Sequence, residues 1–215
     1  MLRGVVVSER RYDGAVESPF IMFEGPALAG ARELASRLGW LDACRWQVPQ
    51  LAGVEWGRLG PVLVRWRDRT MMAELGYRGP LWIPPLESDE WTEYRGPDWS
   101  RFRSVVADSL RRVDAVLFIA DSQHARLEAN LERLQRLGSN LRYVGRLPEV
   151  VPVVFALNKR DLEGKAGAQL LSVAELQMEL RWPVCRYVET SARTGRGVDE
   201  AVAQVLELAG REHDA

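Results

Sequence analysis

Histidine and cysteine are nearly absent from this 215-residue chain: His124 and His213, Cys44 and Cys185 are the whole supply. None stands at metal-ligand spacing from another, so no metal site is expected. A long apolar run is missing too. No stretch reaches the roughly 18 residues a membrane span needs, and MLRGVVVSERRYDG at the N-terminus turns charged after a run too short for a signal peptide. These absences make a reduced, cytoplasmic protein without a membrane span the expectation. Net charge is also small. The 29 Lys+Arg and 30 Asp+Glu give −1, with no basic field for nucleic acid. We find no repeat, low-complexity tract or linker, and residues 1–215 read as a single domain with a full-sized core. Tryptophan is in surplus. Some of the eight rings belong in a core, and others can furnish a partner surface.

The second half carries the clearest pattern. Val113–Ala120 (VDAVLFIA) and 151–157 (VPVVFAL) are short, almost continuous apolar runs, as strands buried on both faces require. Between them, Asp121-Ser122 can cap a helix whose Leu127, Leu131, Leu134 and Leu137 form one stripe. A helix over 172–180, a strand over 185–188 and a final helix with Val198, Ala201, Val202, Val205, Leu206 and Ala209 inward complete the alternation. Strand and helix in turn predict a parallel sheet with right-handed crossovers. The first half predicts a hairpin between 4–7 and a partner near Val16, turning at Tyr12-Asp13-Gly14. A strand follows over 20–23, then a turn over 25–30 and a helix over 31–38. Residues 45–100 show only strands at 62–66 and 81–83.

Two loops carry recognisable chemistry. Asn158-Lys159-Arg160-Asp161 follows a buried strand, and ligands of open α/β sheets bind at the carboxyl ends of strands. A carboxylate at Asp161 can accept from the ring N–H and exocyclic amine of guanine. The Asn158 amide can donate to the base or tie loops together, and the Lys159 stem can lie over the base. After the next strand comes Thr190-Ser191-Ala192, where a backbone N–H can donate to the guanine carbonyl oxygen. Either motif alone is weak; the two in order after consecutive strands are strong. A second reading stays open for both, as capping loops with no ligand.

On VDAVLFIADSQHARLEANLERL, VPVVFALNKRDL and ETSARTGRGVDEAV the chain resembles the Ras-like small GTPases, in particular their bacterial MglA-like branch linked to gliding motility and polarity. The resemblance covers roughly residues 105–210, with a weaker match over 16–40. It implies an α/β fold: a Ras-like, P-loop NTPase-type G-domain, with a mostly parallel central sheet and helices on both faces. Residues 1–18 would be an N-terminal strand or hairpin extension and 45–100 a divergent switch-equivalent region.

The resemblance also implies a phosphate loop of the GPGLxGKTT type, which lines up with Gly25-Pro26-Ala27-Leu28-Ala29-Gly30-Ala31-Arg32-Glu33. Gly25 and Gly30 survive. Ala31 stands where the phosphate-binding Lys belongs and Arg32 where the magnesium-binding hydroxyl belongs, with an anion, Glu33, next. Losing two charged interactions of ~2–3 kcal/mol each lowers nucleotide affinity by about three to four decades. The turn that senses the γ-phosphate would fall at Trp82–Ser88, where Pro85 has no N–H; Thr70 is a poor candidate for the switch hydroxyl. Without a ligand, Gly25 and Gly30 read as a tight strand-to-helix turn. His124 reads as a first-turn surface residue, and Arg101, Arg103, Arg111 and Arg112 as a solvated face.

The expectation is therefore a pseudo-GTPase with no catalytic residue, a protein-interaction or scaffold element in a bacterial signalling, polarity or motility system. No cofactor is expected. The alternative is a regulator that binds GDP or GTP weakly and without magnesium through Asn158, Lys159, Asp161, Ser191 and Ala192, with Gly25 and Gly30. An active GTPase with a rearranged loop stands last. By resemblance alone, a Roadblock-type regulator or another G-domain protein is the expected partner, and 82–99 (WIPPLESDEWTEYRGPDW) is either a pinned loop or an interaction surface.

Overall fold

The computed structural model describes residues 10–12, 15–17, 20–26, 29–30, 33–34, 56–66, 69–78, 107–108 and 110–211. The sequence stretches 81–83 and 82–99, and Ala31 and Arg32, lie outside them. A two-stranded hairpin, β1 (Arg10–Tyr12) and β2 (Ala15–Glu17), precedes the main sheet. Tyr12 pairs with Ala15, so the Asp13-Gly14 dipeptide connects them. Val16 pairs with Arg11 of β1, while residues 4–7, which the sequence suggested as its partner, lie outside the described residues.

The main sheet contains β3 (Phe20–Glu24), β4 (Trp56–Trp66), β5 (Arg69–Arg78), β6 (Val113–Asp121), β7 (Val153–Asn158) and β8 (Cys185–Glu189). Their order across the sheet is β4-β5-β3-β6-β7-β8. The β4–β5 pair is antiparallel and every other pair is parallel. Strand β5 was not foreseen. The register of β4 shifts between Leu59 and Val62, around Gly60-Pro61, where an edge strand tolerates a residue that cannot donate.

Alternate residues of the buried strands point to opposite faces. Ile21, Leu117, Ile119 and Val154 pack with Val198, Val202 and Val205 of α3 (Val198–Arg211). Met22, Phe118, Phe155 and Leu157 pack with Leu134, Leu137 and Leu141 of α1 (Leu127–Tyr143) and with Leu176 of α2 (Val173–Glu179). On this second face Phe118 meets Phe155 edge-on at 5.4 Å, and Phe155 stacks on Tyr187 at 5.1 Å. The Tyr187 hydroxyl donates to the Leu180 carbonyl at 2.6 Å, and burial raises its pKa. Helices on both faces of a mostly parallel sheet are the Ras-like α/β arrangement expected. No helix among the described residues is long and apolar enough to cross a membrane.

Two details differ at helix starts. Helix α1 begins at Leu127 after a 3-10 turn over His124–Arg126, and Asp121-Ser122 does not cap it. Asp121 instead ends β6, and its Oδ1 accepts from the Gln123 N–H at 3.1 Å. Helix α2 does have a side-chain cap: Ser172 Oγ accepts from the Glu175 N–H at 3.2 Å, and Glu175 accepts from the Ser172 N–H at 2.7 Å. That reciprocal bonding satisfies donors the helix cannot satisfy itself. The Ser172 hydroxyl and N–H hold the Glu175 carboxyl below its ordinary pKa.

Candidate guanine-reading site

The carboxyl ends of β3, β7 and β8 converge, and one buried amide joins the loops that follow them. Asn158, the last residue of β7, donates through Nδ2 to the Ala29 carbonyl at 2.6 Å. Its Oδ1 accepts from the Ala192 N–H at 2.7 Å and from the Thr190 hydroxyl at 3.4 Å. The side chain is 2% exposed, so each lost bond would leave a dehydrated polar group. Of the two roles open to Asn158, the structure displays the loop tie.

Lys159 adopts φ 70°, the one non-glycine residue at positive φ among those described, a conformation costing about 1 kcal/mol. What holds it there is visible. Its ammonium donates to Asp121 Oδ2 at 2.6 Å and to Gln123 Oε1 at 3.2 Å. Asp121 is fully buried and clamped to α1: its N–H donates to Asn130 Oδ1 at 3.0 Å, and Asn130 Nδ2 returns a bond to its carbonyl at 2.9 Å. Arg160 turns inward, donating to the Leu171 carbonyl at 2.7 Å.

Asp161 lies beside the Thr190-Ser191-Ala192 loop, its side chain 10% exposed. Its Oδ1 accepts from the Ser191 hydroxyl at 2.8 Å. Its Oδ2 lies 3.5 Å from Lys165 Nζ and 3.9 Å from Arg193 Nη1. Burial acts to raise the carboxyl pKa, but the Ser191 hydroxyl and Lys165 outweigh it, and the net shift is below the ordinary value. A carboxylate pair of oxygens offers about four acceptor positions, and Ser191 fixes the orientation while taking one. The Ala192 N–H, expected to donate to a guanine carbonyl, is engaged by Asn158. The Ser191 N–H is likewise engaged, by the Arg196 carbonyl at 2.9 Å.

The order of the sheet strands and the meeting of these two loops at their carboxyl ends are the features against which relatives can be weighed. The chain is 36% identical over 99 residues to the mutual gliding-motility protein MglA of Myxococcus xanthus (strain DK1622), a match covering 46% of this chain and 48% of that protein. Over that stretch the chain is similar to MglA, and its sheet and helices have the arrangement of a Ras-like α/β G-domain. It spans about half the length of the curated relative it matches. No protein-family profile matches the chain.

The turn that the sequence aligns with a phosphate loop begins at Gly25. A β-carbon there would lie 2.4 Å from the Ile119 carbonyl oxygen, and one at Gly30 (φ 97°) would lie 2.3 Å from Asn158 Nδ2. Both glycines therefore have a packing reason that needs no phosphate. The Leu34 N–H donates to the Gly30 carbonyl at 2.9 Å, so a helix starts where the sequence places one.

Directly before the turn stands a pair the motifs did not announce. Glu24, 1% exposed, accepts a hydrogen bond from Arg133 Nε of α1. Arg133 Nη2 is buried with no partner. A faint signal existed in the sequence: a charged residue closes the apolar strand FIMFE, and an arginine sits beside the leucine stripe of α1.

Proposed function

We propose that this chain is a non-catalytic G-domain protein acting as an interaction or scaffold element in a bacterial motility or polarity system. The motility part rests on the similarity to the mutual gliding-motility protein of Myxococcus xanthus. The observation that carries the non-catalytic part is the interlock of the site with itself. Asn158 holds Ala29 on one side and the Ala192 N–H on the other. The loop lacks Lys and Ser/Thr at positions 31 and 32, the groups that elsewhere hold phosphate and metal. A site whose backbone donors already have internal partners, and whose phosphate end has lost its Lys and Ser/Thr, favours one fixed conformation over a nucleotide-driven switch. A partner protein, either a regulator or a second G-domain protein, then meets a constant surface.

A second reading has one observation in its favour. The Ser191 hydroxyl holds the Asp161 carboxylate in place beside the Thr190-Ser191-Ala192 loop. A weak, magnesium-independent guanine regulator would use that arrangement, with Ala192 exchanging its bond to Asn158 for one to the base.

Titration of nucleotide-free protein with GDP and GTP by calorimetry, with and without Mg²⁺, tests the proposal. Absence of heat, with no nucleotide released on boiling, is the expected result. Weak heat indifferent to Mg²⁺ would favour the second reading. Tight, magnesium-dependent binding would sink the non-catalytic reading altogether.

A further inference from the structure

At the opposite end of the sheet, where β7 and β8 begin, a groove of 390 Å³ runs between α1 and the segments leading into those strands. Its size falls within the roughly 300–1,000 Å³ of ligand clefts. The floor is apolar and rigid. Trp182 donates through Nε1 to the Val151 carbonyl at 2.7 Å, which satisfies its polar atom and pins the ring. The ring lies over Gly138 of α1, with Leu131 and Pro148 beside it.

Exposed aliphatic residues neighbour the lining in sequence, and two arginines belong to it. Leu147 is 61% exposed, with Val150 at 48% and Val184 at 43%, all three next in sequence to lining residues. Arg142 and Arg181 also line the groove, and neither meets a carboxylate among the described residues. Arg181 uses only Nε, donating to the Met178 carbonyl at 2.7 Å. Against these two guanidinium groups the lining offers one carboxylate, Glu149. Tryptophan and arginine are among the residues that dominate interface energetics.

The geometry points to a docking groove for a linear segment of a partner protein that carries bulky apolar side chains flanked by carboxylates. The apolar groups would rest on Trp182 and the Leu147 rim, and the carboxylates would accept from Arg142 and Arg181. Because the groove lies at the amino ends of β7 and β8 and the guanine-reading loops at their carboxyl ends, occupancy is independent of guanine nucleotide.

The test pans a random peptide library on the full chain and measures the selected peptides by fluorescence anisotropy. Enriched peptides should pair acidic with bulky apolar residues. They should bind R142E/R181E about two- to twenty-five-fold more weakly, from up to about fivefold for each exposed pair. Leu147→Asp, at a largely exposed position that leaves folding intact, should weaken them comparably, and excess GDP should change nothing. The inference is overturned if no peptide is enriched or if those enriched are basic or neutral. It is also overturned if R142E/R181E and Leu147→Asp bind undiminished, or if GDP displaces the peptide. The GDP arm keeps this result separate from the non-catalytic reading, which calorimetry decides.

Discussion

Asn158 and Gly30 depend on each other at the scale of single residues. The amide needs the space that a β-carbon at position 30 would fill, and Gly30 gains its purpose from the amide. Asn158→Ala removes three hydrogen bonds inside the protein. It should cost about 2–3 kcal/mol in urea denaturation. Gly30→Ala should cost a similar amount, since the new methyl collides with Nδ2 and strains a left-handed backbone. The double variant should cost clearly less than the sum, because the alanine at 158 vacates the space the new methyl needs. Full additivity would deny the interlock. Asp161 makes a pH prediction. Its folded pKa lies below its ordinary value, so the folded state binds fewer protons than the unfolded state in acid. Its contribution is complete above the ordinary carboxylate range and is lost as pH falls through the lowered folded pKa. Asp161→Asn should therefore flatten the acid limb of a stability-versus-pH curve and leave its slope near neutrality unchanged.

Between elements, β3 and α1 are joined by Glu24 and Arg133. Removing Glu24 takes the carboxylate from the buried Arg133 guanidinium, so Glu24→Leu should cost about 3–5 kcal/mol. Replacing Arg133 with leucine as well should recover part of that loss, since an apolar side chain needs no compensation for dehydration. Chemical denaturation of the single and the double variant checks this, and a double variant as damaged as the single would refute it. The elements differ in how plainly the sequence announced them. Strands β6 and β7 were legible because both faces are buried, which demands unbroken apolar runs such as VLFIA and VVFAL. Strand β5 was not, because RTMMAELGYR is rich in helix formers and holds a glycine. Strand β4 was legible only beyond Pro61, because Gly57, Gly60 and Pro61 conceal its first half. The loop motifs were legible as positions but not as bonds. Nothing in the pattern said that Asn158 would take the Ala192 N–H, or that Lys159 would reach back to Asp121. Those contacts join residues 34 and 38 positions apart, and only the order of the strands brings them together.

At the scale of the whole molecule, a ligand that binds the folded state alone must raise its stability, whatever the route by which it binds. At a free concentration one hundred times its dissociation constant the gain is about 2.7 kcal/mol. For a chain of this length each kcal/mol moves the midpoint by roughly 2–4 °C, so saturating nucleotide would shift thermal unfolding by about 5–11 °C. A fixed, self-satisfied G-domain should show no such shift with GDP or GTP, in Mg²⁺ or in EDTA. The Asn158→Ala variant sharpens the comparison, because it frees the Ala192 N–H for a base while removing the loop tie. If the wild-type chain is silent only because its donors are internally engaged, the variant should melt lower yet gain a small upward shift with GDP. If the missing Lys and Ser/Thr at positions 31 and 32 dominate, the variant should melt lower and stay silent. The phosphate deficit of about three to four decades exceeds what one backbone donor returns, about one decade at most, so silence in both proteins is the expected outcome.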